Sequence, residues 1–475
     1  MNASEPHLQS RNAGIVLAII VASYLMIVVD ISIVITGLPR IQASLGFSAA
    51  QLSWVTNAYT LAFGGLLLLG ARAGDILGRR RMFIVGLFLF TLASVAIGVA
   101  PSASWLLTAR AIQGAGAAVL APSTLALLST HFAEGPARTR ALSMYAAAAG
   151  IGATLGLVLG GLFADLVSWR AGFFINLPIG LLLIIAARRH ISETPKHPGH
   201  FDLGGAVSST LGMTALVYGL VRAADAGWAD ALAQAALIGG VLMIAAFVLI
   251  ERRVGQPILP LRLLASRERA GAYLARMLFL GGAVGFWFFS TQFLGVLHLR
   301  PLQAGLAFLP VTLPNFAAAM ALPKLARRFG NKRLLLVGLL FGVVGLLWLG
   351  LADADARYWT HVAPPMLLIG LGQGLLLAPL TAAGVAGVAR EDAGAASGMV
   401  NVAHQLGGAL GLGLLVLVFA SVAPPTAQDS AALAHRISAV MDVGALLLGL
   451  AMLVSWAFIV LPSRAAQSQP QEALS

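Results

Sequence analysis

The sequence predicts an all-α polytopic membrane protein with fourteen transmembrane helices: two pseudo-symmetric six-helix bundles and two extra helices between them. Three observations predict it. Of 475 residues, 59% are hydrophobic and only 10% are charged, against about 45–50% and about 25% in soluble domains. The apolar residues gather into continuous stretches of spanning length, about 20 residues each, without the alternation of a membrane barrel. Finally, the chain repeats itself. Leu120, Ala121, Pro122 and Thr124 recur as Leu377, Ala378, Pro379 and Thr381, and the turn Gly78 to Arg81 is echoed by Gly330 to Arg333.

The spans follow in order. The first covers about 14–36; its apolar run Ile15–Val29 ends at Asp30 with no small-residue cleavage site after it, so it reads as a retained helix, not a signal peptide. Spans 2 to 6 are expected near 51–71, 82–100, 105–130, 141–164 and 171–187. Two more, near 204–221 and 234–250, fall outside the repeat. The last six lie near 271–295, 303–323, 333–351, 362–388, 394–420 and 440–461. Pro and Gly inside many of them are tolerated because neighbouring helices satisfy the freed backbone groups. The expected organisation is an N-terminal bundle over 1–190, linkers and the extra pair over 191–268, and a C-terminal bundle over 269–475. Parallel repeats of this kind place a substrate site between the halves, near the midplane.

Charge sets the orientation. A net charge of +12 would suggest nucleic acid in a soluble protein, but here the basic residues sit in short loops. With both termini cytoplasmic, about 22 of the 30 Lys and Arg, among them Arg138, Arg188, Arg252, Arg327 and Lys332, fall on the inner side, as the positive-inside rule requires. Trp54, Trp105, Trp169, Trp228, Trp348 and Trp359 then mark the outer ends as interfacial anchors. No nucleic-acid partner is expected. The absence of cysteine excludes disulfides and cysteine-ligated metal centres, and no metal or cofactor site is anticipated.

The most specific segment joins spans 2 and 3. Asp75 is placed to pair with nearby arginines or cap a helix, Gly78 permits a tight turn, and Arg79, Arg80 and Arg81 follow. An ordinary basic loop has a similar composition, but this spacing in this loop resembles the signature of the major facilitator superfamily. One departure is Ala71, where the family has Gly. Arg110, Gln113, Gly114 and Gly116 resemble the family's fourth-helix motif, whose Arg is implicated in proton handling; the alternative is an Arg bonded to backbone carbonyls. Gly152, Gly156, Gly160 and Gly161 in span 5 let helices approach closely. They are also similar to the family's antiporter motif, except that Leu157 stands where Pro is usual. Trp169 to Gly180 resembles the start of helix six in the fourteen-helix drug:proton antiporter branch (EmrB/QacA type). That branch also has an acidic residue where Asp30 stands, though Ile35 replaces its usual Asn.

Asp30 is the one acidic residue placed deep within a span, and intramembrane charges are functional candidates by default. It lies nine residues before Pro39, and Arg110 lies nine after Pro101; at 1.5 Å per residue each is about 13 Å deep. Opposite charges at matched depth offset each other's burial, and Asp30 is expected to carry the coupling proton while Arg110 tunes it. Asp75, Gly78, Arg79, Arg80 and Arg81 are expected to gate the conformational change. Polar positions that qualify for a substrate cavity are Gln113, Gln292, Asn315, Gln373, Asn401, His404 and Gln405, although most such residues in the second half are more readily read as helix-to-helix hydrogen bonders. Phe286, Trp287, Phe288 and Phe289 read as an aromatic pocket or, more commonly, as lipid-facing packing.

Enzyme motifs are missing. There is no phosphate loop, which argues against ATP-driven pumping, and no metalloprotease or nucleophile-elbow pattern. The resemblance therefore implies a secondary active transporter of the plasma membrane, exporting small amphipathic compounds against protons by alternating access. The partners expected are a small-molecule substrate, protons and lipid, with the chain acting as a monomer. A metabolite uniporter or symporter of the same fold is the alternative kept open by Leu157, and a transport-dead membrane sensor is a remote one.

Overall fold

A computed structural model describes residues 5–132, 136–194, 196, 201–255, 257, 259–388, 393–422 and 430–461. Every regular element among them is helical. Fourteen helices are long and apolar enough to cross a membrane. Spans 1 to 6 run Ala13–Leu45, Gln51–Leu77, Arg79–Gly98, Ala103–His131, Arg140–Leu166 and Ala171–His190. Spans 7 and 8 are Leu203–Ala226 and Ala231–Glu251. Spans 9 to 14 are Arg267–Val296, Pro301–Phe329, Asn331–Gly350, Tyr358–Gly384, Ala395–Ser421 and Ser430–Val460.

Local chemistry sets the boundaries. Ser102, Asp202 and Asp230 cap helix starts by accepting from the backbone N–H groups of Trp105, Gly205 and Ala233. Gly78 and Gly330 separate adjacent spans at φ of 107° and 80°, a region glycine enters without steric cost. Two spans outrun the sequence reading furthest. Span 1 continues through Pro39 to Leu45, and span 14 begins at Ser430, ten residues earlier than hydropathy placed it. The Ser438 hydroxyl bonds the Gly350 carbonyl at the end of span 11, so Asp442 lies close to that end although it falls within a span.

Spans 1 to 6 pack on one another, with span 1 on span 5 and span 4 on spans 2 and 3; span 9 packs on spans 13 and 14, and span 12 on spans 10 and 11. The packing repeats too, in a register one residue short of the Leu120–Leu377 sequence match. A Cβ on Gly86 of span 3 would lie 2.8 Å from the Leu120 nitrogen, and one on Gly338 of span 11 would lie 2.8 Å from the Gly372 carbonyl and 3.0 Å from Leu376. Spans 7 and 8 form a hairpin tied by the Arg222–Asp230 pair at 3.0 Å; that guanidinium holds the Asp230 carboxyl below the usual carboxylate range. Span 7 touches both halves, with Thr210 against Gly65 and Val217 and Leu220 near Gly413. Span 8 is peripheral, its Ile238, Val241 and Leu242 all exposed.

The tryptophans split. Trp105, Trp228, Trp348 and Trp359 are exposed, as anchors at a membrane surface are. Trp169 is buried instead, edge-on to Phe173 with Arg170 over its ring; its large apolar area fills the junction of spans 5 and 6.

Spans 1 and 5 meet through the glycine series. A Cβ on Gly156 would fall 2.5 Å from that of Ser32, and one on Gly160 would fall 2.7 Å from the Ile33 Cα. A Cβ on Gly152 would meet Leu25 and Val28 at 3.0–3.2 Å, and on Gly161 it would meet Pro301 of span 10 at 2.5 Å. Forcing atoms into such contacts typically costs about 1–3 kcal/mol. Gly160→Ala is therefore expected to lower the thermal midpoint of the detergent-purified protein. Gly239→Ala, where nothing lies within 4 Å, should leave it unchanged; equal midpoints for the two variants would contradict this packing.

Candidate functional site

The N-terminal half encloses a polar cluster on an apolar background. Asp30 of span 1 and Arg110 of span 4 form an ion pair at 3.0 Å, with side chains 1% and 2% exposed. Around it, the carboxylate and the amides of Gln113 and Asn176 are joined by hydrogen bonds. Asp30 accepts from Arg110 at one oxygen, and from Gln113 (2.8 Å) and Asn176 of span 6 (2.7 Å) at the other. Arg110 also donates to the Gln113 side-chain oxygen at 2.6 Å and, through Nε, to the Val55 carbonyl of span 2 at 3.0 Å. Ser94 of span 3 accepts from Gln113 and Asn176 and donates to the Phe90 carbonyl. The guanidinium stacks over the Tyr59 ring at 4.5 Å. Three donors on Asp30 fit the ionised, acceptor-only carboxylate.

A cavity of about 290 Å³ lies beside this cluster, between the halves, close to the lower limit of about 300 Å³ for ligand pockets. Spans 1, 2, 4 and 5 line it from one half and spans 9 and 13 from the other. Its wall is largely apolar and aromatic, with Ile31, Leu157, Tyr59, Trp287 and Phe288, and its polar groups include Ser32, Thr56, Thr60, Arg110, His404 and Gln405. Asp30 stands behind the wall, reached through Arg110. Leu157, in the place of the family's Pro, contributes to the wall, and its carbonyl meets Gly305 of span 10.

Of the seven polar cavity candidates, His404 and Gln405 line the cavity and five do not. Gln113 is consumed by the ion-pair cluster. Asn315 and Gln373 hydrogen-bond each other at 3.3 Å, Asn401 bonds Ser397 within its own helix, and the Gln292 amide nitrogen is buried without a partner. The aromatic run is not lipid-facing: Trp287 and Phe288 line the cavity, while Phe286 and Phe289 are buried in the core.

The loop after span 2 pairs within its own half. Asp75 and Arg79 form an i,i+4 pair at 3.0 Å; the Arg79 side chain donates onward to the Ala126 carbonyl, and its backbone N–H donates to the Thr194 hydroxyl. Glu193 accepts from the backbone N–H groups of Arg80 and Arg81 at 3.0 and 3.1 Å, capping span 3. Among the described residues neither Asp75 nor Arg79 pairs with the C-terminal half. Sequence reasoning did not single out Asn176, Ser94, Tyr59 or Glu193. Asn176 alone had a signal, an amide inside an apolar span within the Trp169–Gly180 segment.

Two helical halves around a central cavity, with buried charge at its wall, define a membrane transporter of small molecules rather than an enzyme. The sequence profile of the Major Facilitator Superfamily matches residues 20–412, and the chain belongs to that family. It is 39% identical to the cephamycin export protein CmcT of Amycolatopsis lactamdurans, over 98% of this chain and 97% of that one. It is 39% identical to the puromycin resistance protein pur8 of Streptomyces alboniger, over 93% and 90%. In fold it resembles a bacterial homologue of the lysosomal transporter Spinster (TM-score 0.66, 15% identity, 97% and 100% coverage) and the nucleoside transporter NupG (0.66, 12%, 94% and 100%).

Removing the Asn176 amide takes one donor from a buried carboxylate and one from the Ser94 hydroxyl. Leaving buried polar groups unsatisfied costs about 1–3 kcal/mol, so Asn176→Ala is expected to lower the thermal midpoint clearly. An unchanged midpoint would show that the amide contributes nothing to the cluster.

Proposed function

We propose that this chain is a proton-driven exporter of small amphipathic compounds. It works as a monomer in the bacterial inner membrane, with both termini cytoplasmic. One observation carries the reading: a fully buried Asp30–Arg110 pair whose arginine, but not its carboxylate, faces the cavity between the halves. A charge held behind a substrate cavity is the arrangement by which a proton and a substrate can sense each other. The export and resistance proteins similar to this chain, for cephamycin and puromycin, support the direction of transport, as does the aromatic, weakly polar wall.

In the proposed cycle the units that rock are the bundles over 1–190 and 269–475, with 191–268 alongside them. Spans 5 and 10 meet at the end away from the basic loops, through Gly161 on Pro301 and the Asp165–Arg300 pair at 3.2 Å. Such contacts suit an inward-facing state. Asp75, Gly78 and Arg79 to Arg81 would then engage the C-terminal half when the cavity faces outward, and their pairing within one half is what a released latch requires. Protonating Asp30 removes the negative charge that holds Arg110, freeing span 1 from span 4. One charge moving down 100 mV supplies about 2.3 kcal/mol, enough for a gradient of about 50-fold.

Asp30→Asn is expected to abolish export driven by a proton gradient in inverted vesicles while retaining substrate counterflow. Arg110→Ala should damage both coupling and stability, since stripping one partner from a buried pair costs about 3–5 kcal/mol. Normal uphill export by Asp30→Asn would make this carboxylate structural, and wild-type transport indifferent to the proton gradient would favour a uniporter. Orientation is checked by single-cysteine labelling, which is simple in a chain without native cysteine. Lys332→Cys should react only from the cytoplasmic side and Ala229→Cys only from outside; the reverse pattern would overturn the topology.

A further inference from the structure

The C-terminal half carries a buried guanidinium, Arg276, that no carboxylate among the described residues balances. Arg276 of span 9 is 8% exposed. It donates from Nη1 to the Thr381 hydroxyl at 2.8 Å and from Nη2 to His404 Nδ1 at 3.2 Å. Thr381 is itself spent as a donor to the Leu377 carbonyl, so toward Arg276 it only accepts. Among the described residues no carboxylate lies within ion-pair distance of Arg276, and its Nε is buried without a partner. The contrast with Arg110 is direct: that side chain has a carboxylate, an amide oxygen and a backbone carbonyl.

The second observation is how Arg276 communicates with the cavity. An arginine has only donors, so His404 Nδ1 must accept, which fixes a neutral ring with its proton on Nε2. His404 lines the cavity, and among the described residues its one hydrogen bond is through Nδ1, which leaves Nε2–H unengaged. Arg276 and His404 thus form a relay that ends, at the cavity wall, in a free donor backed by an uncompensated positive charge. No acidic side chain lines the cavity: its charged residue is Arg110, already neutralised by Asp30. A buried cation without an anion is costly, and a bound anion would relieve that cost.

We propose that Arg276 and His404 form an anion subsite in the cavity, selecting amphipathic substrates that carry a carboxylate or a similar oxyanion. The apolar body of such a substrate lies against Trp287, Phe288 and Leu157, and its anionic group accepts from His404 Nε2–H and, with a small side-chain shift, from the Arg276 guanidinium. The inference rests on the export reading for the cavity's role, though not for the site's existence. It also bears on energetics. Exchanging one entering proton for one leaving anion moves two charges in the favourable direction, so membrane potential alone should drive export.

The test is equilibrium binding of radiolabelled 1-naphthoate and 1-naphthamide, two probes of one skeleton that differ in charge, to the purified full-length protein. The wild type is expected to bind the carboxylate at least tenfold more tightly than the amide. Arg276→Gln should bring the carboxylate down to the affinity of the amide and leave the amide unaffected, whereas Arg276→Lys should keep most of the preference. Unaltered amide binding also shows that the Gln variant is folded. A wild type that binds naphthoate no better than naphthamide, including one that binds neither, overturns the anion subsite, as does equal loss of both ligands in Arg276→Gln. Failure of the export reading would look different: binding that depends on Arg276, but no movement of naphthoate under an imposed proton gradient and potential.

Discussion

A buried charge pair sets the arrangement of the N-terminal half. Two charges removed from water recover the cost only when their geometry is good and their remaining hydrogen-bonding capacity is filled. Here that demand fixes five spans at once. Asp30 comes from span 1, Val55 and Tyr59 from span 2, Ser94 from span 3, Arg110 and Gln113 from span 4, and Asn176 from span 6. The small residues nearby follow from it. Gly114, one turn beyond Arg110, sits so close to span 2 that a Cβ would fall 2.3 Å from the Tyr59 carbonyl. Val55 lies one turn before Tyr59, so this approach is what lets Arg110 Nε reach the Val55 carbonyl.

The internal repeat shows that the backbone geometry does not depend on the charges. Gly370 of span 12 presses on the Val311 carbonyl of span 10, where a Cβ would come within 2.2 Å, reproducing the contact of Gly114 with Tyr59. The position equivalent to Arg110 is then Met366, fully buried. The same helix crossing is filled by a thioether in one half and a guanidinium in the other. The two halves therefore share packing and differ in chemistry: the balanced pair belongs to the first, and the unbalanced Arg276 to the second.

The fold was largely legible because membrane burial writes itself along the chain as length and hydropathy. Fourteen spans and the order of the repeat needed only counting; the count that matched Asp30 with Arg110 took Pro39 as the end of a span that runs on to Leu45, and it is their ion pair that puts them at one depth. Hydropathy failed where a polar helix continues beyond the apolar core, as at Ser430–Val440, which span 14 includes although its composition resembles a loop. The site was legible where charge is rare. It was not legible where the partner is neutral, because Asn176 and Ser94 are distinguishable from other polar helix residues only by which face meets Asp30. Rotation about the helix axis, not depth, decides that, and for the same reason Gln373 and Asn315 point to each other while His404 and Gln405 reach the cavity.

Coupling in the proposed cycle has to cross the cavity wall, and the geometry leaves few ways to do so. Asp30, Gln113, Asn176 and Ser94 lie behind the wall, whereas Arg110 and Tyr59 belong both to the cluster and to the lining. An event at Asp30 therefore reaches a substrate through the guanidinium and the ring stacked beneath it. The reverse holds with equal force, because a coupling free energy is reciprocal: whatever a substrate does to Arg110 alters how readily Asp30 exchanges its proton. Arg276 acts from the opposite side of the cavity, through His404. An anion held at His404 on span 13 faces Arg110 on span 4 across one small cavity, so its charge acts on the mobile interface between the halves rather than within either bundle.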